Sequence, residues 1–371
     1  MRVVIAKKLL STVGGSEAQA RALGTALAAR GHEVTLVGLR PAWRRPGIPA
    51  AVYAASPGDV EIVEGGLRYV FVATAVAAAE AIIPLSLVPA GRLARAFAGA
   101  DLVHVLAREW AGPAERAARA IGAAFVETPL AHPGQRFSGD GRADSRRYAR
   151  DDAVLALTEW EAGWYRERGA RRVCVTGVGP ILGAPLPILP ADPQTILFVG
   201  RKERYKGYDA LRAAAALVWD THPAARFQAI GQRRFLGPGP LRDPRWTEPG
   251  VVSEAAKAEA YVRATIFCMP SSHETFGHTY LEAWCAGRPV IAGDIAPLRE
   301  VVREGIDGLH AANEPHAIAG AIRALLDDPA AAARMGASGR ARVAERWTWE
   351  RIAERTEAAY TSAMTFPTLT I

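Results

Sequence analysis

PSSHETFGHTYLEAWCAGRPVIA, residues 270–292, reads as the loop, helix and returning strand of one β-α-β unit. An apolar run over 265–270 ends at Pro270, a polar loop carries Glu274, and a helix is expected from about Thr275. Gly287 and Pro289 then stop that helix before a second apolar run at 289–292. Two short strands separated by a helix are parallel, because a tight turn can join only antiparallel neighbours. Glu274 would sit at the helix mouth, where a carboxylate can accept hydrogen bonds from sugar hydroxyls. The free N–H groups of Thr275, Phe276 and Gly277 would favour an anion there. Glu282, two turns further along, would face the same way and suit a ribose diol.

The same alternation extends in both directions. Upstream lie strands at 195–199 and 226–230 with a helix at 208–219; downstream a strand at 308–311 precedes helices. FVGRKERYKG, residues 198–207, ends a strand at Gly200 and then places Arg201 and Lys206 at the carboxyl edge of the sheet. Ligands of open α/β sheets bind outside that edge. A guanidinium fork and a mobile ammonium can together neutralise a diphosphate without a metal. Solvated loop charges are the plain alternative for this pair. The stretch 231–250 is rich in Gly, Pro and Arg and is expected to be a loop, with Gly231 and Val251 at its two ends.

Before residue 180, strands are expected at 3–6, 33–39, 67–72, 102–106, 124–128, 154–157 and 173–178, again separated by helical stretches. Leu23 and Leu27 share one helix face, and Thr158 with Glu161 forms a capping box. Residues 179–190 carry four prolines and read as a stiff linker. The expected fold is therefore α/β, with two doubly wound Rossmann-like domains, 1–180 and 190–347, facing across a cleft. A last helix, about 348–364, is long enough to pack back on either domain. GGSE, residues 14–17, follows the first strand and opens a helix. It is neither GxGxxG nor a P-loop, so Gly15 is either a phosphate-approaching glycine or part of a tight connection.

Composition narrows the class. The chain has 371 residues, half of them apolar, and a formal charge of +7 from 45 basic and 38 acidic side chains. Basic residues cluster before residue 180, which suits anionic substrates or an anionic membrane face. Nucleic acid is disfavoured, since aromatic interleaving and the usual motifs are missing. Cys174, Cys268 and Cys285 form no CxxC pair and read as reduced, buried thiols. The chain opens on a strand with no secretory signal, so a cytoplasmic setting is expected. The apolar stretch 70–90 is interrupted by Glu80, Pro84 and Pro89, which reads as helix plus loop rather than a membrane span. A lipid-contacting surface, peripheral to the inner face of a membrane, is the alternative.

With these residues in view, the chain resembles the retaining glycosyltransferases of family four. The spacing of Glu274 and Glu282 (E-x7-E), the run LEAWCAGRPVI and the element GRxxxxKG carry the resemblance, with GGxE and the DLVH strand at 101–104 in agreement. It is strong over 195–310, good over 1–40, and vague over 40–170. It implies the GT-B fold and transfer of a hexose-type sugar, with retention, from a nucleotide sugar (UDP-, GDP- or ADP-linked). The acceptor is a hydroxyl on a glycan, a lipid-linked sugar or a small molecule. It further implies that Arg201 and Lys206 bind the diphosphate, that Glu274 contacts the transferred sugar, and that Glu282 contacts the ribose. Gly15 would approach from the first domain. His132, in TPLAH, is the candidate for the histidine near the anomeric centre, although the family's Thr-x-His-Asp form is absent. His104 and His278 read as structural. No Asp-x-Asp pair occurs, so neither a metal nor a further cofactor is expected. An epimerase or phosphorylase on the same fold, and a non-catalytic sugar-nucleotide-binding subunit, are the alternatives; a nicotinamide oxidoreductase is disfavoured by the missing GxGxxG.

Overall fold

A computed structural model describes residues 1–11, 14–83, 86–135, 139–182, 186–234, 237 and 239–365. Pro84 of the apolar stretch and residues 183–185 of the proline-rich linker lie outside the described residues. The chain divides into two compact units, Met1–Val178 with Trp349–Ile371, and Gly179–Thr348.

The first unit holds β1 (Arg2–Ala6), β2 (Glu33–Leu39), β3 (Val60–Glu64), β4 (Leu67–Val72), β5 (Leu102–Leu106), β6 (Ala124–Thr128), β7 (Ala153–Ala156) and β8 (Val173–Val175). They form one sheet in the order β3-β4-β2-β1-β5-β6-β7-β8. Every neighbour pair is parallel except β3 with β4. Central strands such as β5, LVHVL, are buried along their whole length, which is why they read as continuous apolar runs. Helix Gly15–Ala29 buries Leu23 and Leu27 against this sheet. Thr158 accepts the Glu161 N–H and Glu161 reaches back to the Leu157 N–H at 2.7 Å, so the helix at 159–167 starts where its cap predicts. β3 is an addition to the expected set: VEIVE is an edge strand whose charges and exposed Val63 look like loop in sequence.

The C-terminal helix Trp349–Thr365 belongs to this first unit. Its Tyr360 hydroxyl lies 2.7 Å from His104 Nδ1, while His104 Nε2 lies 2.7 Å from Thr128 Oγ1. Glu357 accepts from Arg30 at 2.7 Å, and Arg355 donates to the Thr176 carbonyl at 2.8 Å. Burial pushes His104 down to about 3, so the imidazole is neutral inside the fold.

The second unit holds β9 (Thr195–Val199), β10 (Arg226–Ile230), β11 (Trp246–Gly250), β12 (Ile266–Met269), β13 (Val290–Gly293) and β14 (Gly308–Ala311). The order is β11-β10-β9-β12-β13-β14, all parallel. This is the doubly wound order, reversing direction between β9 and β12. β11 corrects the expectation of a loop throughout 231–250. Its WTEPG sequence carries breakers, and it holds its edge position through Trp246 stacked on Phe227, centroids 5.5 Å apart. Among the described residues no helix is long and apolar enough to cross a membrane.

Candidate active site

The reversal of strand order leaves the loops after β9 and β12 side by side at the carboxyl edge, the usual position of a ligand crevice. Both loops carry the residues singled out by sequence. After β9, a turn of 3-10 helix at Arg204–Lys206 ends at Gly207, and helix Tyr208–Trp219 follows. After β12 come Pro270 to Gly277. The two loops are laced together: the Ser272 N–H donates to the Tyr205 carbonyl at 2.7 Å. Across them Lys206 Nζ pairs with Glu274 Oε2, both side chains largely shielded from solvent. Arg201 donates to the Tyr205 hydroxyl, and Lys206 lies 5.3 Å from the centroid of the same ring. Tyr205 is thus a platform under both cations, a role its place in the 198–207 run did not disclose.

The helix after Glu274 starts later than expected. It spans His278–Cys285, so Thr275, Phe276 and Gly277 belong to the loop ahead of it. Gly277 has φ +90, and a Cβ there would fall 2.4 Å from the Tyr280 ring, so glycine is required at this entry. Phe276 is buried edge-on against Trp347, centroids 5.4 Å apart, and anchors the loop from below. His278 Nδ1 lies 2.8 Å from the Gly179 carbonyl, and burial holds its imidazole below the ordinary range.

Glu282 occupies a different environment from Glu274. It is 2% exposed, accepts from the Tyr261 hydroxyl at 2.7 Å, and has Lys257 Nζ at 3.7 Å. Burial raises its carboxyl. Tyr261 and Lys257 both come from helix Glu254–Arg263, and no sequence pattern had linked them to Glu282.

Gly231 follows β10 at the same edge. Its φ is +128, and a Cβ would lie 2.0 Å from the Gly200 carbonyl oxygen, so its hydrogen-only face lets two loop backbones meet. Val251, after β11, is exposed. Between these loops sits a buried hub that sequence reasoning missed. Glu248 accepts from Lys202 Nζ at 2.9 Å, Arg233 at 2.8 Å and Trp246 Nε1 at 2.7 Å, and from the Tyr208 hydroxyl. Burial pushes its carboxyl up, but these donors outweigh it and hold the group down to about 2. Lys202 is therefore committed to Glu248, whereas its neighbour Arg201 is exposed.

In the first unit, strand order reverses between β1 and β5. Gly15 opens its helix just beyond β1 and is exposed. Lys7, at the end of β1, lies 3.4 Å from Glu109 beyond β5. Burial pushes the Lys7 ammonium down, but Glu109 and Glu17 leave it above its ordinary value. His132 is half-buried in the loop after β6, its Nδ1 3.2 Å from Gln135 Oε1. Arg201, Lys206, Glu274 and 275–277 thus share one edge with Gly231, while Gly15 and His132 belong to the other unit. Among the described residues no group of three His, Cys, Asp or Glu side chains is placed to hold a metal ion.

Two doubly wound sheets, parallel throughout except for the β3–β4 pair, are the arrangement of the GT-B fold. Residues 14–179 match the glycosyl transferase 4-like domain and residues 187–342 match glycosyl transferases group 1. Each match covers just under half of the chain, and together they span most of it. It is 29% identical over 310 residues to the D-inositol 3-phosphate glycosyltransferase of Streptomyces avermitilis, covering 71% of this chain and 66% of that one. It is 33% identical over 180 residues to a glycogen synthase of Mycobacterium tuberculosis, covering 46% of this chain and 43% of that one. The chain thus matches less than two thirds of the length of these relatives. Sucrose-phosphate synthase from Thermosynechococcus elongatus has the same fold, with TM-score 0.76 at 21% identity, covering 97% of this chain and 98% of that one. So does Anabaena HepE, solved with UDP and glucose, with TM-score 0.72 at 14% identity over 97% of this chain and 99% of that one.

Proposed function

We propose that this chain is a retaining, metal-independent hexosyltransferase that takes its sugar from a nucleotide donor and delivers it to a hydroxyl acceptor. The observation that carries the reading is the Lys206–Glu274 pair at the switch point between β9 and β12, with Arg201 held beside it on Tyr205. A departing diphosphate builds negative charge on its oxygens as the sugar becomes oxocarbenium-like. Arg201 and Lys206 stabilise that charge where it develops, which lowers the barrier. Lys206 reaches the phosphate by exchanging its contact with Glu274. Glu274 in turn accepts from the sugar's hydroxyls.

The buried Glu248 hub supports this division of labour, since it withdraws Lys202 and leaves Arg201 as the phosphate-facing cation of the turn. Glu282 is assigned to the ribose, with Tyr261 and Lys257 keeping its carboxylate oriented. Gly231 and Val251 are assigned to the base side, Gly15 to the approach from the first unit, and His132 to the anomeric centre. Front-face attack assisted by the leaving phosphate is the mechanism proposed, with Glu274 engaged in binding rather than as a covalent nucleophile.

The test has two stages. UDP, GDP, ADP and their sugars are screened by thermal shift, since a ligand bound only to the native state raises Tm with occupancy. UDP and UDP-glucose come first, because HepE was solved with UDP and glucose. Transfer is then assayed with Arg201→Ala and Glu274→Ala, each expected to lose on the order of 10²-fold in rate. Full activity in both variants refutes the proposal.

A further inference from the structure

The loop between β12 and helix His278–Cys285 carries one more side chain with chemistry of its own, the half-buried His273 that precedes Glu274. Its position is set by the residue before it. The Ser272 N–H donates to the Tyr205 carbonyl at 2.7 Å, and the Ser272 hydroxyl donates to the same carbonyl at 3.3 Å. His273 Nδ1 lies 3.1 Å from the Ser272 hydroxyl oxygen. The imidazole stands edge-on to the Tyr205 ring, with centroids 6.4 Å apart and planes at 81°. The centroid of that ring lies 5.3 Å from Lys206 Nζ and 5.8 Å from Arg201 Cζ. His273 is therefore gathered around the same platform as the two cations, at the sheet edge where β9 and β12 are neighbours.

These contacts assign the ring's hydrogen. A carbonyl oxygen only accepts, so the single hydrogen of the Ser272 hydroxyl is committed to Tyr205. The Ser272 oxygen is left as an acceptor, and the hydrogen between it and His273 comes from Nδ1. In the neutral ring Nε2 then carries a lone pair. Among the described residues Nε2 has no partner, and protein does not enclose it. Glu274 beside it is engaged by Lys206 through Oε2 and by the Thr275 N–H, 3.2 Å from Oε1. Arg201 and Lys206 can only donate. Nε2 is thus a neutral acceptor, fixed in direction, next to three charged groups. A sugar hydroxyl suits it: the hydroxyl donates without bringing a charge to desolvate, and its loss leaves a fixed polar atom unpaired.

We propose that His273 is a specificity-determining residue of the donor site, and that its Nε2 accepts a hydrogen bond from one hydroxyl of the transferred sugar. The assignment rests on the glycosyl-transfer reading above and adds to it a group that tells one sugar from another. Glu274 supplies a charged acceptor and His273 a neutral one, from consecutive residues of a single loop, so two hydroxyls of the sugar ring are read by one unit. A His273 that merely packed on Tyr205 and held the loop would affect every nucleotide sugar alike.

The test is calorimetric titration of the full chain with UDP, UDP-glucose and the monodeoxy forms of UDP-glucose, one hydroxyl removed at a time; the GDP or ADP compounds replace them where these raise Tm more. The wild type is expected to bind the form lacking the recognised hydroxyl roughly five- to tenfold more weakly than the parent sugar nucleotide. His273→Phe keeps a ring against Tyr205 and removes the acceptor. It is expected to erase the preference at that one hydroxyl, with the affinity for the bare nucleotide unchanged and any preference due to Glu274 retained. His273→Ala is expected to erase the same preference. A His273→Phe chain that keeps every preference of the wild type, or that loses affinity for the bare nucleotide and all the sugars alike, overturns the assignment. So does a wild type that binds the parent and all its monodeoxy forms equally. Failure of the glycosyl-transfer reading is separately visible, as a wild type that binds none of UDP, GDP, ADP and their sugars.

Discussion

His104 offers a quantitative check on how the C-terminal helix is docked. Its imidazole is 1% exposed, bonded between Tyr360 and Thr128, and pushed down by burial from 6.5 to about 3. The folded chain therefore binds fewer protons than the unfolded chain between those values. The stabilisation that follows is complete above about pH 6.5 and is lost as pH falls toward 3. With about 1.36 kcal/mol per unit, one such histidine costs roughly 2 kcal/mol of stability on going from pH 7 to pH 5, and roughly 3 at pH 4. The perturbation is His104→Gln, which keeps a polar side chain and removes the titration. Equilibrium urea unfolding of wild type and variant at pH 7, 6 and 5 isolates the effect, because other groups cancel in the difference. The wild type is expected to lead at pH 7 and to lose about 2 kcal/mol of that lead by pH 5. A lead unchanged within about 0.5 kcal/mol would refute both the buried neutral histidine and the docking of Tyr360 upon it.

Further outcomes follow from four variants of the second unit. Glu248→Gln leaves Lys202 buried without its counter-charge and is expected to cost about 3–5 kcal/mol, read as a lower urea midpoint. Gly231→Ala must displace the Gly200 backbone from a position 2.0 Å away and adopt a φ of +128, so it is expected to lose roughly 1–3 kcal/mol and to weaken nucleotide binding. Lys206→Ala is expected to reduce kcat/KM on the order of 10²-fold, and Tyr205→Phe by less. A Tyr205→Phe enzyme as impaired as Lys206→Ala would show that the ring hydroxyl contacts substrate itself.

The alternation of apolar runs and helices was sufficient to place twelve of the strands within a few residues and to define the α/β class. The two strands it failed to register, β3 and β11, are both sheet edges. Edge strands are exposed on one side and carry charge, proline or glycine, which are also the marks of loops. The onset of the helix at His278 was hidden for another reason: Thr275 and Phe276 are compatible with a helix, and only the left-handed Gly277 excludes them. In the candidate site, spacing identified Lys206 and Glu274 singly. Their meeting depends on β9 and β12 being neighbours, which is a property of strand order and not of local sequence. Glu282 shows the same limit from the opposite side. Its place on the helix was legible, but its burial is imposed by Tyr261, a residue 21 positions earlier.

The route of the chain also orders its assembly. Residues up to Val178 supply the eight-stranded sheet, yet His104 receives its Tyr360 partner only after all of Gly179–Thr348 has been synthesised. On the ribosome the second unit can therefore reach its native state while the earlier one still waits for its closing element. Damage to helix Trp349–Thr365 would accordingly be felt by the half of the protein made first.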